Sequence, residues 1–281
     1  MSAHDSAGYS PGRVERYILG TSRTEQQRLL EQGALFEAEA RWLLDEVGVE
    51  PAWHAVDLGC GPLGILHLLA ERVGPTGDVV GVEREAPLLA VARDVVATRG
   101  LTNVRLVQGD ATATGLPRAA FDLVHERLLL MITSDVARVL AEMIALARPG
   151  GVVVVQDLDV VSMICEPAHP AWTRLVEVYE RVYRARGLDG NLGRRLPGLL
   201  RGAGVTDVRV HAHAQVVQAG ELGAGLFLGI IEGLRGHIVG DGIQSDAELT
   251  ALVDAVRRHL ATPGTLALQP LLVQAWGRTP S

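Results

Sequence analysis

Short apolar runs alternate along this chain with stretches whose apolar residues recur every three or four positions. Residues 53–58, 79–83, 104–108, 122–126 and 152–157 are compact, largely β-branched runs that read as strands. Residues 65–72, 87–99 and 134–147 lie between them with helical spacing, and Gly74-Pro75-Thr76-Gly77 and Pro149-Gly150-Gly151 supply turns. Strands apolar along their whole length, each followed by a helix, predict an α/β fold with a parallel sheet covered on both faces. Upstream, residues 13–20 and 24–47 read as two helices. The second is apolar at Leu29, Leu30, Ala34, Leu35, Ala38, Trp42 and Leu43. Neither helix belongs to the strand-helix alternation, so both are expected to lie over the sheet.

Beyond the fifth strand the alternation breaks. Residues 160–170 read as a loop, 171–186 and 192–203 as helices, and 205–217 as a strand. Helices at 222–239 and 246–260 follow, then a last strand at 266–276. The expected organisation is an N-terminal helical lid over residues 1–50 and a main domain over 51–281. Cap elements are expected at about 160–190 and 220–262.

Ligands of such sheets bind at the carboxyl ends of the strands, where strand order reverses. Three predicted strands end there in acids. The first runs into Asp57-Leu58-Gly59-Cys60-Gly61-Pro62-Leu63-Gly64, whose three glycines fit the G-x-G-x-x-G spacing of a dinucleotide site. A carboxylate two residues before the first glycine opposes that reading, because it would face an anionic pyrophosphate at a helix N-terminus. A ligand carrying a sulfonium and an α-ammonium, S-adenosylmethionine, suits the acid better. Glu83 ends the second strand and can accept both ribose hydroxyls. Gly109-Asp110-Ala111 ends the third, where Asp110 can accept from an adenine amine.

On these residues the chain resembles the class I S-adenosylmethionine-dependent methyltransferases, most closely the branch acting on quinones and actinobacterial natural products. The likeness runs from about Val56 to Asp159. It includes Phe121-Asp122-Leu123-Val124 and Leu146-Ala147-Arg148-Pro149-Gly150-Gly151. The usual loop has its third glycine directly after the proline, whereas here Leu63 intervenes. The resemblance implies a Rossmann-like, seven-stranded, mostly parallel sheet with N-terminal helices and a C-terminal helical insertion forming a cap. It implies S-adenosylmethionine bound by Asp57, Gly59, Cys60, Gly61, Glu83, Arg84, Gly109, Asp110, Ala111 and His125.

Composition narrows the chemistry. A chain of 281 residues accommodates one α/β domain with extra helices. A net charge of −7 without a basic run argues against a nucleic-acid partner. All 26 basic residues are arginine, which excludes lysine Schiff-base or general-base chemistry. Cys60 and Cys165 form neither a disulfide framework nor a zinc spacing, and no metal site is expected from His211, His213, His237 and His259. The N-terminus lacks signal-peptide character and no apolar run has spanning length, so the expectation is a soluble cytoplasmic protein without membrane contact.

Methyl transfer needs alignment and exclusion of water more than a base. Where a base is needed, His125 at the end of the fourth strand is the first candidate; Asp157 and Asp159 end the fifth strand and face the expected acceptor, and Tyr17 in the N-terminal segment is a better candidate than Tyr9. The same residues have structural readings: His125 packing its ring, Asp157 a buried carboxylate. Arg127 fits the methionine carboxylate, Glu126 or a lid. Tyr179 and Tyr183 share a helix face suited to an aromatic pocket or a packed core. Phe227, Leu228, Ile230, Ile231 and Leu234 suit a hydrophobic small-molecule acceptor or a homo-oligomer interface. The function expected is methyl transfer to a small, largely apolar metabolite in natural-product biosynthesis. A cyclisation or other non-methylating step with bound S-adenosylmethionine is the alternative.

Overall fold

The computed structural model describes residues 17–221, 223 and 225–280. Its centre is a seven-stranded sheet in the order β3-β2-β1-β4-β5-β10-β7. Strands β1 (His54–Leu58), β2 (Asp78–Glu83), β3 (Val104–Gln108), β4 (Phe121–Arg127) and β5 (Ala147–Asp159) are mutually parallel. β10 (Leu271–Arg278) runs antiparallel between β5 and β7 (Thr206–His213). Strand order reverses between β1 and β4, so the crevice expected of such sheets opens at their carboxyl ends.

Strand alternation divides the apolar side chains between two layers. Ala55, Val79, Leu123, Val154 and Trp276 pack under α2 (Glu37–Val47) and α3 (Leu66–Val73). Val56, Val80, Val124, Val153 and Val155 face the opposite layer, with α5 (Val136–Leu146), α6 (Pro170–Ala185) and α10 (Asp246–Leu260) in the same core. α4 (Ala86–Thr98) and α7 (Leu196–Gly202) complete the helices flanking the sheet.

Several predicted elements are divided in the structure. The helix expected over 24–47 breaks at Phe36, giving α1 (Arg23–Leu35) and α2. The break lets Phe36 enter the core, where it is 5% exposed. Residues 17–20 of the helix expected at 13–20 form a turn, with Gly20 N donating to Tyr17 O at 3.0 Å; the rest of it lies outside the described residues, as does Tyr9. The strand expected over 205–217 is β7 followed by β8 (Val216–Gln218), and that over 266–276 is β9 (Leu266–Leu268) followed by β10. Pro270, which lacks an N–H, separates the latter two, while Gln269 N donates to Gln215 O at 2.8 Å. β8 and β9 join β6 (Ile164–Glu166), within the expected loop, in a second sheet of order β6-β9-β8. The helix expected over 222–239 is α8 (Leu226–Gly233) and α9 (Arg235–Gly240). With α10 they lie between the last two strands of the large sheet. α10 starts with a capping box between Ser245 and Glu248.

Candidate active site

The loop after β1 is stitched to the neighbouring strand: Gly59 N and Cys60 N both donate to Val82 O, at 2.8 and 3.0 Å. Gly59, Gly61 and Gly64 have φ of 68°, 54° and 52°, a region that disfavours residues with a Cβ. At Gly64 a Cβ would also lie 2.4 Å from Asp57 Oδ2 and 2.9 Å from Cys60 O. The extra residue before the third glycine therefore brings a glycine to the one loop position beneath the Asp57 carboxylate. Asp57 itself is 1% exposed; its Oδ2 lies 3.5 Å from Ile65 N and its Oδ1 2.7 Å from His125 Nδ1.

At the end of β2, Glu83 Oε2 accepts from Gly61 N at 2.9 Å and Oε1 from Glu85 N at 2.7 Å. Burial raises the Glu83 carboxyl above its ordinary range, and the amides of Glu85 and Gly61 partly offset this. Past β3, Asp110 Oδ1 accepts from the Thr112 amide at 2.8 Å and its hydroxyl at 2.7 Å. Gly59, Gly61, Glu83, Arg84, Gly109, Asp110 and Ala111 line a cleft of about 910 Å³. A second cleft, of about 1020 Å³, is lined by Asp57, Cys60 and the rest of the glycine loop. Leu29, Gln32, Gly59, Gly61, Arg127 and Leu128 border both, so the two form one trough with α1 along it. Burial, reinforced by Asp57 and Glu83, pushes the Cys60 thiol well up, which removes it as a nucleophile.

Arg127 bridges the two parts. Its Nη2 donates to Gly64 O at 3.4 Å and its guanidinium lies 5.8 Å from the Phe36 ring centre. Its Nη1 is buried without a partner.

The three candidate bases are placed less favourably. His125 is fully buried, with one ring nitrogen on Asp57 and the other against Gln156, and it does not line the trough. Its position is behind Asp57, not against an acceptor. Asp157 points to the opposite face of the sheet and is also fully buried; its Oδ1 accepts from Met131 N at 3.3 Å and its Oδ2 is unpartnered. Burial, with the charge of Glu126 added, holds its carboxyl well above the usual range. Burial likewise pushes Glu126 up to about 8, against three opposing backbone amides. Asp159 is held by Arg194 through two bonds of 2.8 and 2.5 Å. Tyr17 does line the trough, but its hydroxyl donates to Glu25 at 2.8 Å. Burial and the Glu25 charge hold the phenol well above its ordinary range, which keeps Tyr17 a donor to Glu25.

The Tyr17 turn is pinned at both sides, by Tyr17 N donating to Glu85 Oε1 at 3.4 Å and His237 Nε2 to Ile18 O at 3.0 Å. Beneath it the buried Arg28 bonds Glu25 at 2.7 and 2.6 Å and Gln32 at 2.6 Å. The sequence pattern does not mark this pair, because charges three apart on a polar helix ordinarily belong to a solvated face. Tyr179 and Tyr183 stack with centroids 4.5 Å apart and belong to the core, as do Phe227, Leu228, Ile231 and Leu234, which line neither an acceptor pocket nor an outer surface. Among the described residues no group of three His, Cys, Asp or Glu side chains can hold a metal, and no helix is long and apolar enough to cross a membrane.

Residues 50–183 match the family model described as a methyltransferase domain. The chain is 36% identical over 116 residues to nocamycin O-methyltransferase of Saccharothrix syringae, a match covering 41% of each protein. It is 29% identical over 203 residues to demethylmenaquinone methyltransferase of Anoxybacillus flavithermus, covering 67% of this chain and 86% of that one. Among solved structures, the YcgJ protein of Bacillus subtilis superposes with a TM-score of 0.56 at 15% identity, over 87% of this chain and 99% of its own. A putative methyltransferase from Bacillus halodurans gives the same TM-score at 16% identity, over 86% and 99%. At such identities these structures speak for the fold.

Proposed function

We propose that the chain, matched over residues 50–183 by a methyltransferase-domain model, is a class I S-adenosylmethionine-dependent methyltransferase that methylates a small, largely apolar metabolite, a natural-product scaffold. The observation that carries this reading is the trough itself, whose first cleft sets the acids Glu83 and Asp110 among apolar side chains. Glu83 keeps lone pairs free for two ribose hydroxyls while two backbone amides fix its carboxylate. Asp110, oriented by Thr112, suits an adenine amine. Gly61 has open space where a Cβ would stand, so the loop backbone can approach a ligand closely. The unpartnered Nη1 of Arg127 calls for an anionic partner, which a methionine carboxylate supplies. These donor and acceptor sets fit S-adenosylmethionine from end to end.

Bound there, the sulfonium supplies an electrophilic methyl group for in-line displacement. The residues of this chain then have two tasks, orientation and exclusion of water. Leu88, Leu129 and Ile132 give the nucleoside cleft apolar walls, and Leu29 and Leu128, which border both clefts, favour an apolar acceptor beside it. Arg28, beside the Tyr17 turn, is paired with Glu25 and offers no free cation to an anionic acceptor. The turn at Tyr17 and Ile18, pinned at both sides, serves with α1 as the lid. The likeness to nocamycin O-methyltransferase supports a natural-product acceptor.

Incubation with methyl-labelled S-adenosylmethionine and a panel of neutral phenols, quinols and hydroxylated polyketides tests this, with carboxylated counterparts alongside. Label is expected in the neutral acceptors. Transfer confined to the anionic ones, or cofactor binding with no transfer to any, would overturn the reading.

A further inference from the structure

Side chains from four adjacent strands meet on the α2–α3 face of the sheet: Asp57 of β1, His125 of β4, Gln156 of β5 and Gln274 of β10. All four are buried, and strand register sets Asp57 opposite His125 and Gln156 opposite Gln274. A fixed group terminates the row, the main-chain carbonyl of Glu39 in α2, 3.3 Å from Gln274 Nε2. A carbonyl only accepts, so it settles every orientation behind it. Gln274 must present its amide nitrogen to Glu39 and, at 2.9 Å, to Gln156 Oε1. Gln156 must then turn its own amide nitrogen toward His125 Nε2. An imidazole nitrogen facing an N–H donor carries no proton. The remaining proton therefore sits on Nδ1, donated to Asp57 Oδ1 at 2.7 Å. Flipping both amides would set the Gln274 oxygen against the Glu39 carbonyl, and an imidazolium would set N–H against N–H.

We propose that Asp57, His125, Gln156 and Gln274 form a one-way hydrogen-bond chain that locks His125 as the neutral Nδ1–H tautomer and fixes the cofactor-side carboxylate of Asp57. His125 is then a positioning residue, not the base that its place at a strand end suggests. With Oδ1 held, Oδ2 stays above Gly64 and beside Ile65 N, the geometry the glycine loop is built around. The chain also ties α2, which follows the helix along the trough, to the central strands. The role assigned to Asp57 rests on the cofactor reading given above; the tautomer does not.

Nitrogen-15 NMR of histidine-labelled, ligand-free protein reads the tautomer directly, with the His125 signal assigned by its loss in His125→Asn or its shift in Gln156→Glu. The expected result is a protonated Nδ1 and an unprotonated Nε2. In Gln156→Glu an acceptor replaces the donor, and the same ring should gain a proton on Nε2. An imidazolium or an Nε2–H tautomer in the wild type would overturn the chain. Gln156→Leu and Gln274→Leu should each weaken S-adenosylhomocysteine binding by about tenfold, the effect of losing one buried hydrogen bond. Unchanged affinity in both would overturn the positioning role. Absence of binding by the wild-type protein would overturn the cofactor reading and that role together, while the tautomer would still be read independently.

Discussion

Replacing Gly64 by alanine isolates the physical reason for the unusual loop spacing. Two costs add. The first is conformational: φ is 52° at Gly64, and an L-residue there loses about 1–2 kcal/mol. The second is steric, since the new Cβ would stand 2.4 Å from Asp57 Oδ2 and 2.9 Å from Cys60 O in a buried setting. Relieving such overpacking costs about 1–3 kcal/mol more. Gly61→Ala is the control, because φ is 54° but nothing lies within 4 Å of its Cβ position. Urea denaturation should therefore lose about 1–2 kcal/mol for Gly61→Ala and about 2–5 kcal/mol for Gly64→Ala, with m unchanged. Combining Gly64→Ala with Asp57→Ala should recover about 1 kcal/mol of the difference as coupling between the two sites. Equal losses for the two glycine variants, or strict additivity with Asp57→Ala, would refute the claim that the carboxylate dictates the glycine.

Glu83→Ala should weaken S-adenosylhomocysteine binding by about 2–4 kcal/mol in calorimetric titration, through loss of two ribose hydrogen bonds and of the Gly61 anchor; wild-type affinity would exclude the ribose role. Arg127→Met should cost about 1.5–3 kcal/mol of affinity for S-adenosylhomocysteine but little for an analogue lacking the carboxylate, and equal losses for both ligands would remove the carboxylate assignment. Glu126 is raised to about 8, chiefly by burial, so its protonated form is favoured by folding. The stability it contributes is complete below the ordinary carboxylate range and is lost as pH rises through 8, by up to about 1.4 kcal/mol per pH unit. Urea midpoints should fall from pH 6 to pH 9 in the wild type and much less in Glu126→Gln; a flat wild-type profile would contradict the shift. Deleting the first twenty residues should lower methyl-transfer turnover more than cofactor affinity, and an unchanged rate would dispose of the lid.

The local signals in this chain were enough to determine the sheet's parallel strands and the ends that carry Asp57, Glu83 and Asp110. Apolar runs, turns and glycines are dictated by neighbours in sequence, and β3 falls on the residues its apolar run marks. Local pattern could not separate β7 from β8 or β9 from β10, because both halves of each run are β-forming and only the second sheet claims one half. Nor could it break the long N-terminal helix at Phe36, whose conformation is set by the core it enters. The fate of the titratable groups was decided by tertiary structure alone. His125, Asp157 and Tyr17 all have the chemistry of a base. His125 is buried behind Asp57, Asp157 is buried beside Glu126, and the Tyr17 hydroxyl is bonded to Glu25. The one signal left in the sequence was a glutamine within each of two apolar strands, Gln156 and Gln274. A polar group so placed must find a partner inside the fold, but the sequence does not say which. Side-chain protonation depends on groups far apart in the chain and adjacent in space, and adjacency is what the fold supplies.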